Sequence, residues 1–471
     1  MKNTIESNFF HDLFGVLKNL EYIKSANIVG SILNKNLDEI SDLDLVVIID
    51  KLSVDKLHEI EDIILSFNYS DYGFTKPIKL NKKFGPIKYD YKNNHIIHLM
   101  IYDLENHQKH VYDSPFTCFD WERTNIYSKK HIGQFCPVYK LMLKDFINAR
   151  RGLLNYISNL KNSSLEYSEY QIDKDSSIKL QTNQLTINER DKNEFSYHIC
   201  KNLIFNYLKF VSKKNEDFEE NFIKEFQSIE PLFFEKNKNI FNLLEKGKKL
   251  FLQNENYIVQ ETINFVDNFY DHIKHVYDKS LKIYFIRHFE TKLNNGTFLG
   301  QKLDPTIISK QNSKNILKDI NYKEIYSSPS LRCKDSLKSL GIKSFEIDKN
   351  LKEIDYGDAE GLELGQLKEK FPKIIEEWNN GNDVSFPNGE NTQDVHKRVS
   401  KSLTRVKKNT LFMTHQVPIR CMVGEFFDLD IKEWFKIKIP FGTPLEFIKL
   451  QNKYYLNITQ TLKKEILEDI Q

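Results

Sequence analysis

The chain has 471 residues, more than one ordinary hydrophobic core organises, so we expect two or three domains. A formal net charge of +2 excludes a strongly basic nucleic-acid-binding surface over the whole chain, and 40% hydrophobic with 13% aromatic residues exclude a disordered protein. The five scattered cysteines include no CxxC pair, which excludes a disulfide framework or a zinc cluster. Neither a signal-peptide pattern nor an apolar run of membrane-spanning length is found, so we expect a cytoplasmic protein without a membrane partner.

The first 110 residues predict a mixed α/β domain. A short strand at 26–31 is followed by an apolar run at 43–50 that predicts a buried strand. An amphipathic helix is then expected at 53–67, beginning at Ser53, a residue type that caps helix N-termini.

Two small residues, Gly30 and Ser31, and two acids, Asp42 and Asp44, flank these strands. Alternate residues of a strand share a face, so the two carboxylates point the same way and repel each other unless a cation lies between them. Such oxygen ligands suit Mg²⁺, which would bridge to the phosphates of a nucleotide. Gly30 lets the backbone approach a phosphate, and Ser31 can donate a hydrogen bond to it. The alternative is an ordinary turn before a buried strand.

This pattern, Gly-Ser followed by a spacer and Asp-x-Asp, resembles the motif of the nucleotidyltransferase superfamily of DNA polymerase β. The resemblance covers about residues 20–105. The resemblance implies metal-dependent transfer of a nucleoside monophosphate from a nucleoside triphosphate to a small acceptor. It also implies a third acid on a later strand. The run 95–103 offers His98 in its middle and Asp103 at its end, and Asp90 lies on the preceding predicted strand. Of these we select Asp103. Without a third acid in place, the domain would bind nucleotide without transferring it.

Residues 111–278 predict a mainly helical region, because three long segments have helical periodicity. The polar segment 161–194 between two of them predicts a long loop or an exposed hairpin. This region offers no pattern of catalytic residues.

The last region, 279–471, opens with a strand at Leu281 and alternates strands with helices, which predicts βαβ units around a mostly parallel sheet. We therefore expect a multidomain α/β protein with an N-terminal mixed sheet, a helical middle and a C-terminal α/β sandwich. Parallel sheets place their ligands at the carboxyl ends of the strands. One strand ends in Arg287 and His288, and a later one ends in Thr414 and His415.

Arginine is scarce, with nine in the chain, so an arginine at a strand end is informative. Arg332 follows a further strand, and Glu353 lies in a loop. Two guanidiniums can orient phosphoryl oxygens, a neutral imidazole can attack phosphorus, and a carboxylic acid can protonate the leaving oxygen. The pattern predicts a phosphate pocket with a nucleophile, and the alternative is an inactive fold with solvated strand ends.

The order of these elements over residues 281–460 resembles the histidine phosphatase (phosphoglycerate mutase-like) superfamily. Its motifs are matched by Arg287-His288-Phe289-Glu290-Thr291, Ser327-Ser328-Pro329 before Arg332, Glu353 before Tyr356-Gly357 and Glu360-Gly361, Pro387-Asn388-Gly389-Glu390, and His415. Phe289 stands where glycine is usual, which leaves open whether its ring narrows the pocket or points into the core.

The resemblance implies His288 as the nucleophile that accepts the phosphoryl group and Glu353 as the proton donor, without a cofactor. It also implies that Arg287, Arg332 and His415 bind the phosphoryl group and that Asn294 is a secondary contact. We further expect Thr291 and Thr414 to contact the substrate.

The leading hypothesis is a bifunctional enzyme that acts on a small phosphorylated metabolite and a nucleoside triphosphate. It would combine N-terminal nucleotidyl transfer with C-terminal phosphomonoester hydrolysis. A second hypothesis is an active phosphatase whose N-terminal domain only senses nucleotide. A third is a transferase that modifies protein or RNA and carries a phosphate-binding module; the near-neutral charge disfavours RNA, which needs clustered cations.

Overall fold

The structure is a computed structural model that describes residues 4–30, 42–85, 93–149, 152–211, 221–252, 258–308 and 315–470. It separates into two compact units, Met1–Lys274 and His275–Gln471. The division of the first unit near residue 110 stays a prediction. Among the described helices, none combines the length and the apolar character needed to cross a membrane.

In the described part of the first unit, five strands form a mixed sheet. They are β1 (Ile23–Val29), β2 (Asp42–Ile49), β3 (Ile78–Asn81), β4 (His95–Asp103) and β5 (Ile126–Lys129). Their order is β3-β4-β2-β1-β5, with β3, β4 and β2 parallel and β1 antiparallel to both neighbours. The predicted mixed sheet is confirmed, and β5 extends it past residue 110.

One face of this sheet forms a hydrophobic core with α1 (Thr4–Lys18) and α2 (Val54–Leu65). The alternation of β2 explains the arrangement, because Leu43, Leu45, Val47 and Ile49 all point to that core. The predicted cap of α2 is also present, since the Ser53 side chain accepts a hydrogen bond from the amide of Lys56.

The rest of the chain up to residue 279 is mainly helical. Its helices are α3 (Leu104–Asp113), α4 (Pro115–Trp121), α5 (Asp145–Asn148), α6 (Leu153–Lys161), α7 (Glu189–Val211), α8 (Phe222–Ile229), α9 (Pro231–Lys236), α10 (Lys238–Glu245), α11 (Gly247–Leu252) and α12 (Ile258–Lys279). The polar segment predicted as a loop or hairpin forms an antiparallel hairpin of β6 (Ser164–Ile172) and β7 (Ile178–Thr186).

The second unit is built on a mostly parallel sheet, as predicted. Its strands are β8 (Leu281–Arg287), β9 (Glu324–Ser327), β10 (Glu346–Ile347), β11 (Thr410–Thr414), β12 (Pro444–Leu450) and β13 (Lys453–Leu456). Their order is β10-β9-β11-β8-β12-β13; the first four are parallel, and β12 is antiparallel to both of its neighbours.

The described helices of this unit connect and cover the strands. They are α13 (Leu331–Ser339), α14 (Leu364–Lys370), α15 (Pro372–Asn379), α16 (Thr392–Thr404), α17 (Gln416–Phe426) and α18 (Gln460–Leu467). The chain passes from β8 to β9 and later returns to place β11 between them. Three strands that are distant in sequence therefore end side by side.

Candidate functional site

The carboxyl ends of β8 and β11 bring the two predicted histidines together. Thr414 pairs in register with Arg287, so His288 and His415 follow neighbouring strand ends. The centroids of the two imidazole rings lie 5.2 Å apart. This edge is where parallel α/β sheets bind ligands.

His288 has the geometry of a nucleophile. The residue is 2% exposed, and its Nδ1 lies 2.7 Å from the carbonyl oxygen of Phe289. Because a carbonyl oxygen only accepts, Nδ1 carries the proton and Nε2 keeps its lone pair. Burial, together with the positive charges of Arg332 and Arg287, lowers the pKa of His288 well below its usual 6.5. The imidazole is therefore neutral, the form that can attack phosphorus.

Arg287 presents a buried donor at the same strand end. Its Nη1 donates to the carbonyl oxygen of Ile439 at 2.7 Å, and its guanidinium lies 3.6 Å from the ring centroid of Phe441. Its Nε is buried and has no hydrogen-bond partner among the described residues. Burial lowers the pKa of Arg287 to about 10, which keeps it charged at neutral pH. An unsatisfied buried N–H costs about 1–3 kcal/mol, so this group is suited to a phosphoryl oxygen.

Arg332 is buried at the start of α13 and is held by several acceptors. Its Nη2 donates to the carbonyl oxygen of Gly300 at 2.7 Å, its Nη1 to that of Leu303 at 3.0 Å, and its Nε to Nδ1 of His415 at 3.2 Å. The carboxylate of Asp304 lies 3.4 Å from Nη1. These contacts fix the guanidinium beside both histidines.

His415 is a buried, neutral hydrogen-bonding group. Its Nδ1 accepts from Arg332, so the proton lies on Nε2, which is 2.8 Å from Oγ of Ser328 and 3.2 Å from Oγ of Ser330. Burial, followed by the charge of Arg332, lowers the pKa of His415 well below its usual value. The two serines were not among the predicted contacts, although they lie in the motif that precedes Arg332.

Glu353 is held at the first turn of α17. Its Oε1 accepts hydrogen bonds from the amides of Ile354 at 3.0 Å and Val417 at 3.1 Å, and its Oε2 accepts one from the amide of Gln416 at 3.1 Å. The first amides of a helix have no partners inside it, and its positive dipole end favours a carboxylate. Because His415 directly precedes α17, this helix positions the predicted proton donor beside the second histidine.

The comparisons with known proteins agree with this geometry. Residues 283–453 match the model of the histidine phosphatase superfamily, branch 1. The C-terminal region belongs to this superfamily. Phosphoserine phosphatase 1 of Hydrogenobacter thermophilus is 28% identical over 170 residues, which cover 33% of this chain and 80% of that protein.

Two further similarities are lower in identity. 6-Phosphofructo-2-kinase/fructose-2,6-bisphosphatase 1 of Homo sapiens is 23% identical over 269 residues, which cover 53% of this chain and 55% of that protein. The solved α-ribazole phosphatase of Shigella flexneri is 19% identical, with a TM-score of 0.35, over 38% of this chain and 96% of that chain. The superfamily model does not extend into the first unit.

In the histidine phosphatase domain, Arg398 clamps the loop that carries Glu353. Its Nε and Nη2 bind the two carboxylate oxygens of Glu390, each at 2.9 Å. The same guanidinium donates to the carbonyl oxygens of Asn350 at 2.6 Å, Lys352 at 2.7 Å and Glu353 at 2.9 Å. This clamp explains why the Pro-x-Gly-Glu motif ends in an acid, because Glu390 holds the guanidinium of Arg398 in place.

Two glycines of these motifs are required by close backbone contact. Gly357 has a φ of +54°, and a Cβ there would lie 2.0 Å from the carbonyl oxygen of Pro387. A Cβ on Gly389 would lie 2.3 Å from the carbonyl oxygen of Asp355. Side chains at these positions would separate the two loops that hold Glu353.

The remaining predicted contacts are used by the fold. Oδ1 of Asn294 accepts from both the amide and the hydroxyl of Thr291, each at 2.8 Å. The Thr414 hydroxyl donates to the carbonyl oxygen of Leu351 at 2.6 Å and is buried. Phe289 is 1% exposed and is one of the buried hydrophobic residues of this unit.

Arg420 was not predicted as a site residue. It lies on α17, and its Nε donates to the carbonyl oxygen of Ile437 at 2.7 Å. Burial lowers the pKa of Arg420, and its positive charge also lowers that of Arg287. The available signal in the sequence was its position shortly after His415 in a chain with few arginines.

In the first unit, Gly30 and the two predicted acids lie together. Gly30 has a φ of +85°, and a Cβ there would lie 2.5 Å from Oδ2 of Asp44, so only glycine fits this turn. Asp42 and Asp44 occupy alternate positions of β2 and share its face. Ser31 lies outside the described residues.

The structure does not bring Asp103 to this site, which corrects its assignment as the third acid. In the parallel pairing of β2 and β4, Asp44 lies beside His98, and Asp103 is five residues further along. That is roughly 16 Å at the rise of a strand. The Asp103 side chain instead caps α3 by accepting from the amide of Asn106 at 2.9 Å.

The described residues do not fit a two-metal Mg²⁺ site. Nδ1 of His98 lies 2.9 Å from Oδ1 of Asp44, and its Nε2 lies 2.7 Å from the carbonyl oxygen of Lys83. Burial acts to lower the pKa of His98, but the hydrogen bond to Asp44 and its charge outweigh burial and raise it. The described part of the chain contains no group of three His, Cys, Asp or Glu side chains that could hold a metal ion. His98 occupies the position beside Asp44, and Asp90, the other acid that the sequence offers, lies outside the described residues.

Proposed function

We propose that the C-terminal domain hydrolyses a small phosphomonoester through a phosphohistidine at Nε2 of His288. The observation that carries the proposal is the buried neutral imidazole, whose Nδ1 is bound to the carbonyl of Phe289 so that Nε2 keeps its lone pair. The buried Nε of Arg287, which has no partner among the described residues, supports a phosphoryl group at the same place.

In the first step, Nε2 of His288 attacks phosphorus, so a P–N bond forms while the bond to the ester oxygen breaks. For this step Glu353 must carry a proton, against the preference of the α17 dipole for its carboxylate form. It gives this proton to the ester oxygen, which leaves as an alcohol. In the second step, water attacks phosphorus, the P–N bond breaks, and the proton of the water returns to Glu353. Arg287 and Arg332 stabilise the negative charge that develops on the phosphoryl oxygens in both steps.

The test is phosphate release by the full chain and by its His288→Asn variant. The substrate panel would include phosphoserine and fructose 2,6-bisphosphate, which occur in the names of the two relatives, and other phosphorylated sugars and alcohols. Loss of a covalent nucleophile should lower kcat by at least about 10³-fold. Wild type incubated with substrate should also form an acid-labile phosphoenzyme.

His396→Asn is the matched control, because that histidine binds Glu425 at 3.1 Å at the surface of the same domain. It should keep the wild-type rate. Phosphate release that persists in His288→Asn would overturn the phosphohistidine mechanism.

For the first unit, nucleotidyl transfer from a nucleoside triphosphate to a small acceptor is a second candidate function. The glycine turn at Gly30, which packs closely against Asp44, supports this function, because the nucleotidyltransferase resemblance requires such a turn. The incomplete metal site argues for the weaker form of this proposal, in which the unit binds nucleotide without transfer.

Pyrophosphate release with Mg²⁺ from each of the four nucleoside triphosphates, together with calorimetric binding, separates these forms. Release that disappears in Asp42→Asn would support transfer. Saturable binding without release would support sensing, and the absence of both would exclude a nucleotide function for this unit.

A further inference from the structure

The first unit contains a cavity of about 620 Å³, a size typical of small-molecule sites. One wall is the sheet face opposite the hydrophobic core, where His98 and Met100 of β4 line it. The other walls are formed by α3, α4, α6, α7 and the β6–β7 hairpin. Nothing in the nucleotidyltransferase resemblance, which ends near residue 105, assigns a ligand to these walls.

The described lining of this cavity is strongly acidic. Its permanently charged basic side chains are Lys109 and Arg190, whereas its carboxylates are Asp42, Asp44, Asp113, Glu166, Asp191 and Glu194. An excess of negative charge inside a concave surface attracts cations and repels anions. The acidic lining is therefore suited to a cationic ligand.

Two of the carboxylates are already paired within the protein. Asp44 binds His98 at 2.9 Å, and Glu194 binds Lys248 at 2.5 Å. Asp113 and Asp191, in contrast, form no ion pair within the described ranges. They come from two different walls, because one ends α3 and the other lies in the first turn of α7.

Asp113 is the acid that the local fold does not explain. It is the last residue of α3, where the helix dipole is negative and a carboxylate is disfavoured. Asp191 has the opposite setting, since the dipole at the start of α7 stabilises it. A positive group bound in the cavity would stabilise Asp113 and use Asp191 as a second contact.

The arrangement suits an organic cation better than a metal ion. The carboxylates are distributed over β2, α3, the hairpin and α7, and no three metal-binding side chains converge in the part of the chain that is described. Aromatic side chains of Trp121, Tyr156 and Phe195 line the same space. Such rings pack against alkyl chains and attract ammonium groups through cation–π interactions.

We propose that this cavity binds an organic cation with at least two ammonium groups, anchored by Asp113 and Asp191. The ammonium groups would donate charge-assisted hydrogen bonds to the two carboxylates, while the alkyl chain lies along the aromatic side chains.

The test is titration calorimetry of the full chain with spermidine as the probe. An uncharged polyether of the same length serves as the second probe, and ATP with Mg²⁺ as the third. We expect saturable binding of spermidine and none of the polyether, and added salt should weaken spermidine binding because the attraction is electrostatic. The titration with ATP and Mg²⁺ tests the proposed nucleotide function separately, so the two proposals can fail independently. This comparison uses the wild-type protein and does not depend on any variant.

The variants Asp113→Asn and Asp191→Asn should each weaken spermidine binding by at least about tenfold, the effect of losing one charge-assisted hydrogen bond. Glu105→Gln is the matched control, since this exposed acid lies on α3 but does not line the cavity. Circular dichroism would verify that the nearly isosteric variants are folded. Absence of saturable spermidine binding, equal binding of the polyether, or unchanged affinity in both variants would overturn the proposal.

Discussion

The clamp formed by Arg398 leads to a quantitative prediction for Arg398→Lys. The substitution keeps the positive charge but replaces five N–H donors in a planar fork by three on an ammonium. Arg398 makes five hydrogen bonds, two to Glu390 and one each to the carbonyl oxygens of Asn350, Lys352 and Glu353. At least two of these acceptors therefore lose their donor, and at about 1–3 kcal/mol each the loop is destabilised by about 2–6 kcal/mol.

The substitution should also slow catalysis, because the carbonyl of Glu353 is one of the acceptors. A proton donor displaced by about 1 Å can cost about 10²-fold in rate, so we expect kcat to fall at least about tenfold while KM changes less. In the proposed mechanism substrate binding depends mainly on Arg287 and Arg332, which this substitution does not change.

Hydrogen exchange measured by mass spectrometry is the appropriate assay, because it reports local opening in a chain with two compact units. A loss of about 2 kcal/mol, the lower bound, corresponds to exchange about 30-fold faster in peptides that cover 349–357. Lys397→Gln is the control, since Lys397 is the exposed neighbour of Arg398. Exchange within about twofold of wild type together with an unchanged kcat would refute the inferred clamp.

Two further predictions concern the same domain. The pKa values of His288 and His415 in the folded protein lie below the 6.5 of an unfolded histidine. Below pH 6.5 the unfolded chain therefore binds more protons than the folded one, and the free energy of unfolding decreases as the pH is lowered. The slope approaches about 1.4 kcal/mol per pH unit for each histidine. Unfolding measured at pH 7.5 and 5.5 should show lower stability at pH 5.5, and the His415→Asn variant should depend less on pH. Equal stability of the wild type at both pH values would contradict this prediction. Phe289→Ala removes a buried ring and should cost about 3–5 kcal/mol in a thermal or urea unfolding experiment, with the kcat of the folded enzyme nearly unchanged. A large loss of kcat at wild-type stability would instead place the ring in the pocket.

Much of the phosphatase site could be predicted from sequence because its determinants are local. Arg287 and His288 end an apolar run, as Thr414 and His415 do, and the alternation of strands with helices indicates a parallel sheet whose carboxyl ends meet. The helix cap at Ser53 was predictable for the same reason, since it depends on residues within one turn.

Contacts between distant segments were not accessible in this way. The roles of Ser328 and Ser330 depend on β9 lying next to β11, and that of Arg398 depends on three carbonyl groups of a loop more than forty residues away. The position of Phe289 relative to the pocket was likewise open, because a motif states which residues are neighbours in sequence and not which way a side chain packs.

The first unit shows the same division most clearly. Sequence alone determined that Asp42 and Asp44 share a face of a buried strand, because strand alternation is a local property. Tertiary structure decided that His98 and not Asp103 lies beside them, because the register between β2 and β4 is set by the packing of the whole sheet. His98 within β4 and Asp103 at its end were both visible in the sequence, but only the pairing of the strands selects which one meets the acids.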